Sequence, residues 1–283
     1  MTSLLDPFLD NDFLVRALLA GVLVSLACAV AGTYVVLRGL AFIGDALAHG
    51  VLPGVAAAQL LGAPGLLGAA VGAAAMIAGV SFVTARSRLS SDTAIGLLFV
   101  GMLALGVVIV SRSGTFRGDL VTILFGELLG VSDGDLAAQA VCSLVVLLLG
   151  VVFARPFLLL CVDPDLARLS GFPARRYHAV LLALVAGTVV VSFQTVGTLL
   201  VFGMLLAPAG AGALLTRRVG AMMVWAAGHG SVSTYLGLLV SYHLGYAAGA
   251  SVVLVAVALF FAVFATVSAR SLLSGRAARI AAP

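Results

Sequence analysis

Two ionisable side chains lie one helical turn apart in an otherwise apolar stretch, GDALAHGVLPG, at residues 44–54. Asp45 and His49 are spaced i, i+4, so both side chains fall on one face of a helix. A carboxylate oxygen and an imidazole nitrogen directed at one point are suitable ligands for Zn²⁺ or Mn²⁺. The pair is therefore a candidate metal site, although two ligands do not complete one. A symmetric dimer with this face on its axis would supply two Asp and two His.

A proline follows this pair by one further helical turn. Pro53 has no N–H, so the carbonyl of His49 lacks its usual helical partner and we expect the helix to kink. Such discontinuous helices often build ion pathways through membranes. Pro208, within a later apolar segment, predicts a second kink. The alternative is that Asp45 and His49 only hydrogen-bond each other or a neighbouring helix.

The composition indicates the kind of element that carries these residues. Hydrophobic residues make up 63% of the 283 residues and charged residues only 9%, against about 25% charged residues in average globular chains. The mean hydropathy is +1.24. The chain is therefore expected to be an all-α polytopic membrane protein. Its length allows about eight to ten spans and no sizeable water-soluble domain, which predicts a single transmembrane domain over residues 1–283.

Apolar runs and arginine positions predict the topology. The block at 179–216 is too long for one span, and SFQTVG at 192–197 is the natural place to divide it, which gives nine spans, or eight if the block is one broken helix. With the N-terminus outside and the C-terminus inside, twelve of the fifteen arginines fall on the inner side, as the positive-inside rule requires. The predicted spans are 13–37, 40–61, 65–85, 93–111, 135–154, 179–216 (divided), 220–241 and 249–269.

Two other ionisable residues are weaker metal candidates. Glu127, the only glutamate, lies in the short apolar segment LFGELLG on the predicted outer side. It could line an extracellular gate or cap a re-entrant helix. His229, in AAGHGS, is expected near the middle of its span. It could be a second pathway ligand or an interhelical hydrogen-bond donor.

The chain contains no lysine, and a P-loop needs a lysine on the nucleotide phosphates. ATP hydrolysis by that route must therefore take place in another protein. The only long polar stretch on the inner face is the loop at 155–178, where DPDLARLSG predicts a short helix with a cap, a proline in the first turn and a glycine stop. This helix suits docking to a cytoplasmic ATPase, although an ordinary capped loop is the alternative. The predicted docking residues are Asp163, Pro164, Asp165, Leu166, Ala167, Arg168, Leu169 and Gly171.

Other functional classes fit the sequence less well. An intramembrane zinc protease would show H-E-x-x-H on a helix, which is missing here. A proton-coupled secondary metal transporter would need several titratable residues in its spans, and only Asp45, His49 and His229 qualify. A permease for an iron–siderophore complex would need a wide, uncharged pathway. We keep the last two as alternatives to an ATP-driven metal importer.

Five segments in this order resemble the permease subunits of zinc/manganese ABC importers, the ABC-3 membrane proteins. GDALAHGVLPGVAAAQLLG is similar to the family's second-span motif, although the family more often has Ser before the histidine, where this chain has Ala48. Glu127 is also atypical of the family's Phe-Gly turn. The other segments are SDTAIGLLFVGMLALGVVIVS, LFGELLGVS, DPDLARLSGFPARRYH and VGTLLVFGMLLAPAGAGALLTRR.

The resemblance implies a vitamin B12-permease-like (type II importer) fold in a bacterial cytoplasmic membrane. It implies a homodimer that pairs with two cytoplasmic ATPase subunits and receives zinc or manganese from an extracellular solute-binding protein. Asp45 and His49 match the family's intramembrane metal-pathway positions, and residues 163–171 match its ATPase-docking element. No cofactor and no covalent chemistry are expected in this chain.

Overall fold

The computed structural model describes residues 7–8, 11–112 and 128–280. Segment 113–127, which includes Glu127, lies outside the described residues. Within the described ranges the regular structure is entirely helical. The helices are α1 (Asp12–Leu37), α2 (Ala41–Gly50), α3 (Leu52–Leu60), α4 (Gly65–Arg86), α5 (Ser91–Arg112), a 3₁₀ turn (Leu128–Gly130), α6 (Asp133–Val152), α7 (Ala154–Val162), α8 (Pro164–Leu169), α9 (Ala174–Val196), α10 (Thr198–Leu215), α11 (Val219–Leu244) and α12 (Ala248–Ile280).

Among these helices, eight membrane-spanning segments are long and apolar enough to cross a bilayer, with α2 and α3 counted as one. The remaining long helix, α11, has 26 residues, which is about 39 Å of helix and enough for a span. The centre of α11 is more polar than the centres of the other long helices, because it contains His229, Ser231, Ser233 and Thr234. The prediction of eight to nine spans in an all-α membrane fold is confirmed.

The first helix is the centre of the bundle. α1 packs against α6, α9, α10 and α11, and its apolar side chains from Leu14 to Val35 are largely buried. Polar groups join neighbouring helices to it: Ser143 donates a hydrogen bond to the Leu23 carbonyl at 2.8 Å, and Tyr34 donates one to the Gly150 carbonyl at 3.3 Å. By contrast, α5, α6 and α12 expose most of their apolar surface, as expected of helices on the periphery.

Two helix breaks fall where the sequence predicted them. The long block divides at Gly197, whose φ of +80° is accessible to glycine at little cost. The second span divides at Val51, two residues before Pro53. Pro208, however, lies inside α10, which continues from Thr198 to Leu215.

The connection at 155–178 differs from the expectation of a polar loop. Residues Ala154–Val162 form helix α7, because Phe157 and Leu160 bury one face against the bundle. The next membrane helix begins at Ala174 rather than 179, directly after Pro173 in the cap position. The prediction that this stretch is a loop was therefore wrong at both of its ends.

Candidate functional site

The i, i+4 spacing brings Asp45 and His49 together as predicted. Both side chains lie on α2, and His49 Nε2 is 3.3 Å from Asp45 Oδ1. The imidazole also makes an edge contact with the Phe99 ring of α5, with centroids 5.4 Å apart. The other ring nitrogen, Nδ1, is buried and has no hydrogen-bond partner among the described residues. One polar atom of the pair therefore remains available to a ligand.

The pair is not fully covered by the rest of the chain. The His49 side chain is 20% exposed and that of Asp45 32% exposed. The two residues lie four and eight residues after the start of α2, about 6 and 12 Å along its axis. A carboxylate deep in hydrocarbon costs about 2.5–3.5 kcal/mol, so it must face protein or water.

The break after the pair is packed by two neighbouring helices. Val51 separates α2 from α3, and a Cβ added at Gly106 of α5 would lie 3.4 Å from Pro53 Cδ. On the other side, α3 meets α4 so closely that a Cβ at Gly54 would overlap the carbonyl oxygen of Gly68. Small residues at such positions let membrane helices approach closely. The half-helix beyond the pair is thereby fixed against α4 and α5.

The chemistry of the pair suits a divalent transition metal, which accepts carboxylate oxygen and neutral imidazole nitrogen. Two ligands from one chain leave the coordination incomplete. Among the described residues no group of three or more His, Cys, Asp or Glu could hold a metal ion. The described part of this chain therefore supplies no third His, Cys, Asp or Glu ligand to the pair.

The weaker candidate His229 does not join this pair. His229 lines a separate groove between α10, α11 and α12 together with apolar residues, and its Nε2 is buried without a partner in the described structure. Its Nδ1 lies 3.5 Å from Ser233 Oγ on the same helix. Glu127 lies outside the described residues, so its proposed gate or cap stays a prediction.

The predicted docking segment forms the capped helix that its sequence suggested. Asp163 caps α8, accepting a hydrogen bond from the Asp165 N–H at 2.8 Å. Gly171 ends the turn with a φ of +83°. One side of α8 is anchored, because Ala167 packs with Leu160 and Ala174.

The outer side of α8 is apolar and open. Leu169 is 87% exposed and Leu166 is 42% exposed. Arg168 forms an exposed ion pair with Asp165 at 2.7 Å. Exposed leucines on a rigid surface helix are typical of a contact surface for another protein.

Sequence reasoning missed a polar contact between the α1–α2 connection and the start of α9. Arg38 follows α1 and precedes α2, and its Nη1 lies 2.6 Å from Nδ1 of His178, near the start of α9. The arginine donates, since a guanidinium has no acceptor. Burial lowers the pKa of Arg38 from its ordinary value, but a guanidinium remains charged in proteins. The two residues are 140 positions apart, and no local pattern pairs them.

Comparison with known proteins identifies the family. The ABC 3 transport family matches residues 10–267. The manganese transport system membrane protein MntC of Halalkalibacterium halodurans is 39% identical over 264 residues, which is 93% of this chain and 90% of that protein. A probable iron transport system membrane protein of Haemophilus influenzae is 38% identical over 257 residues, 91% of this chain and 94% of that protein.

A solved structure gives the same result for the fold. PsaBC from Streptococcus pneumoniae, in complex with Fab, superposes with a TM-score of 0.82 at 33% identity and covers 92% of this chain and 94% of the matched chain. The resemblance drawn from the sequence motifs is confirmed. The chain belongs to the ABC 3 transport family.

Proposed function

We propose that this chain is the membrane subunit of an ATP-driven importer that moves a divalent transition metal ion across the cytoplasmic membrane of a bacterium. The observation that carries the proposal is the Asp45–His49 pair, 3.3 Å apart and partly exposed on a broken membrane-spanning helix. The buried, unpartnered Nδ1 of His49 supports a ligand role over a closed structural hydrogen bond. The metal passes the pair as cargo.

The partial exposure of the pair supports a homodimer. Contact with lipid hydrocarbon is unfavourable for a carboxylate at this depth, so the exposed side of Asp45 needs polar groups against it. A second copy related by two-fold symmetry supplies another Asp45 and His49 at the axis, and the pathway then has two carboxylates and two imidazoles. The exposed apolar residues of α5 beside the pair, including Leu97 and Val100, provide surface for this contact.

The energy comes from a cytoplasmic ATPase dimer that docks on residues 163–171. The absence of lysine from this chain excludes a P-loop within it, and exposed Leu166 and Leu169 offer the ATPase an apolar contact. This arrangement places the C-terminus and most arginines inside and the N-terminus outside, in agreement with the positive-inside rule. An extracellular solute-binding protein delivers the metal to the outer end of the pathway.

Manganese is the cargo we propose first. Carboxylate and imidazole ligands accept Mn²⁺, Fe²⁺ and Zn²⁺ alike, so the pair alone defines the class of ion. Several relatives, including MntC of Halalkalibacterium halodurans and of Listeria monocytogenes, are named for manganese transport. Zinc and iron are the competing cargoes to include in every assay.

The alternatives fit less well. A proton-coupled secondary transporter is at odds with membership in the ABC 3 transport family. A permease for an intact iron–siderophore complex would not need an ionisable Asp–His pair on its pathway. The adjacent genes offer an inexpensive check, because we expect one to encode an ATPase and another a solute-binding protein.

The proposal is tested by metal accumulation in cells that lack their own manganese and zinc importers. Cells that express the chain with its ATPase and binding protein should accumulate Mn²⁺, and cells that lack only this chain should not. A variant of the ATPase without its P-loop lysine should also abolish uptake. Accumulation that is independent of the chain, or independent of ATP hydrolysis, would contradict the proposed function.

A further inference from the structure

An apolar groove that includes neither Asp45 nor His49 lies between helices of the C-terminal part of the chain. It is formed where α10, α11 and α12 meet, and its volume is about 470 Å³. α12 exposes most of its apolar surface, so the groove opens towards the hydrocarbon of the bilayer. Its apolar lining includes Leu215, Trp225, Val232, Leu259 and Val263.

The groove runs along the axes of two antiparallel helices. On α11 the lining residues extend from Trp225 to Val232, and on α12 from Thr266 back to Leu259. Each stretch spans eight residues, whose seven steps cover about 10.5 Å of helix. Leu215, Trp225 and Thr266 therefore mark one end of the groove, close to the α10–α11 connection, whereas Val232 and Leu259 mark the deep end.

Arginines lie beyond the lining residues of α11 and α12 at the end of the groove near the α10–α11 connection, which we call its mouth. Arg218 precedes Trp225 by seven residues, and Arg270 follows Thr266 by four. A spacing of four returns to the same helix face, so Arg270 belongs to the face of α12 that lines the groove. Arg218 is the N-cap residue of α11, directly before the helix that carries Trp225. Arg217 lies beside them in the connection. All three are exposed.

The three helices that form the groove carry no acidic residue to balance the arginines at its mouth. The sequence contains no Asp or Glu after Asp165, so α10, α11 and α12 carry no acidic residue at all. Within the described residues, the ion pairs involve other arginines and none of these three. In the part of the chain that the structure describes, these three arginines thus have no ion-pair partner that neutralises the mouth.

We propose that this groove is a binding site for an anionic phospholipid. One acyl chain lies along Val232, Leu259 and Val263, and the headgroup phosphate lies at Arg218 and Arg270. Basic pockets between transmembrane helices bind acidic headgroups in this manner. A zwitterionic lipid fills the apolar groove equally well and also carries a phosphate, but its headgroup cation cancels that charge. The two guanidinium groups therefore favour a lipid with net negative charge. The inference is independent of the proposed cargo.

Trp225, the only tryptophan in the chain, is a built-in probe of the groove. The full chain is reconstituted in nanodiscs that contain increasing fractions of phosphatidylglycerol or phosphatidylcholine, each brominated on the acyl chain near the headgroup. Bromine quenches tryptophan fluorescence on close contact. We expect half-maximal quenching at a fraction of phosphatidylglycerol at least ~5-fold lower than that of phosphatidylcholine, since each arginine near an anionic headgroup contributes about a fivefold preference.

Two sets of arginine variants separate the site from general surface charge. The double substitution Arg218→Gln and Arg270→Gln should remove the preference for phosphatidylglycerol while quenching by phosphatidylcholine persists. The matched control, Arg86→Gln with Arg88→Gln at the end of α4, should keep the preference. A third variant, Ala262→Phe, fills the groove and should reduce quenching by both lipids.

Equal quenching of the unmodified chain by the two lipids would overturn the proposal. So would a preference that survives loss of Arg218 and Arg270, because the selectivity would then arise elsewhere. Failure of the groove-filling variant to reduce quenching would show that the acyl chain does not occupy the groove, and would also overturn it. None of these results depends on metal uptake.

Discussion

The contact between α3 and α4 should be intolerant of a single added methyl group. A Cβ at Gly54 would overlap the Gly68 carbonyl oxygen, and it would lie 2.9 Å from the Gly68 carbonyl carbon and 3.0 Å from the Gly72 nitrogen. All three are backbone atoms, so no side-chain rotation relieves the clash. Ordinary carbon contacts begin at 3.4 Å. The helices must therefore separate, and overpacking of this kind costs about 1–3 kcal/mol.

The matched control is Gly187→Ala on α9, where an added Cβ meets no atom within 4 Å. Both substitutions replace Gly by Ala in a helix, which raises helix propensity by up to about 1 kcal/mol in water. The difference between their free energies of unfolding therefore measures the cost of the clash. We expect the unfolding equilibrium of Gly54→Ala to lie about 5- to 150-fold further towards the unfolded state than that of Gly187→Ala. Unfolding of the purified chain in detergent, followed by circular dichroism, measures this difference. Equal stability of the two variants would refute the close packing of α3 on α4.

Three further predictions concern the inner face and one helix cap. Leu169→Asp should reduce co-purification with the ATPase at least ~10-fold without loss of folding. The control Leu61→Asp, in a similarly exposed position between α3 and α4, should leave co-purification unchanged. Unchanged co-purification of the Leu169 variant would contradict the docking assignment. Arg38→Leu should destabilise the chain by about 1–3 kcal/mol because it leaves His178 Nδ1 unpaired. A double-mutant cycle with His178→Leu, measured by thermal unfolding, should show that the two effects are coupled. Additive effects would contradict the Arg38–His178 hydrogen bond. Ser132→Ala removes the capping box with Asp135 and should cost about 0.5–2 kcal/mol, and no change in the melting temperature would count against the cap.

Much of the fold follows from local features of the sequence. Membrane helices satisfy their own backbone hydrogen bonds, so apolar runs alone predicted the spans. The division at Gly197 was predictable because glycine and neighbouring polar residues interrupt a run that is too long for one crossing. The α8 cap at Asp163 and its stop at Gly171 were predictable for a similar reason, since each depends on residues within a few positions.

The features that the sequence did not predict depend on distant contacts. Helix α7 was assigned to a polar loop because its first turn contains Arg155 and Pro156. Phe157, however, packs edge-on against Tyr34 of α1, with ring centroids 5.1 Å apart. The Arg38–His178 contact likewise joins segments 140 residues apart. Neither contact leaves a periodic signal within its own segment.

The candidate site was predictable only in part. The i, i+4 rule placed Asp45 beside His49, and the structure has them 3.3 Å apart. No third His, Cys, Asp or Glu joins them among the described residues. Their role as metal ligands stays a prediction.

The most direct test of the central claim is the rate of Mn²⁺ uptake by the assembled transporter in proteoliposomes, with Asp45→Asn and His49→Gln compared with the unmodified chain. Asp45→Asn keeps the size of the side chain and removes its negative charge, and His49→Gln replaces the imidazole by a neutral side chain of similar length. The matched control is Asp92→Asn, an exposed carboxylate in the first turn of α5. We predict at least a ~10-fold loss of uptake for each pair variant, with assembly intact and the control unaffected, as expected when one charged ligand contact is removed. Uptake of manganese, zinc and iron by both variants at the rate of the unmodified chain would contradict the account.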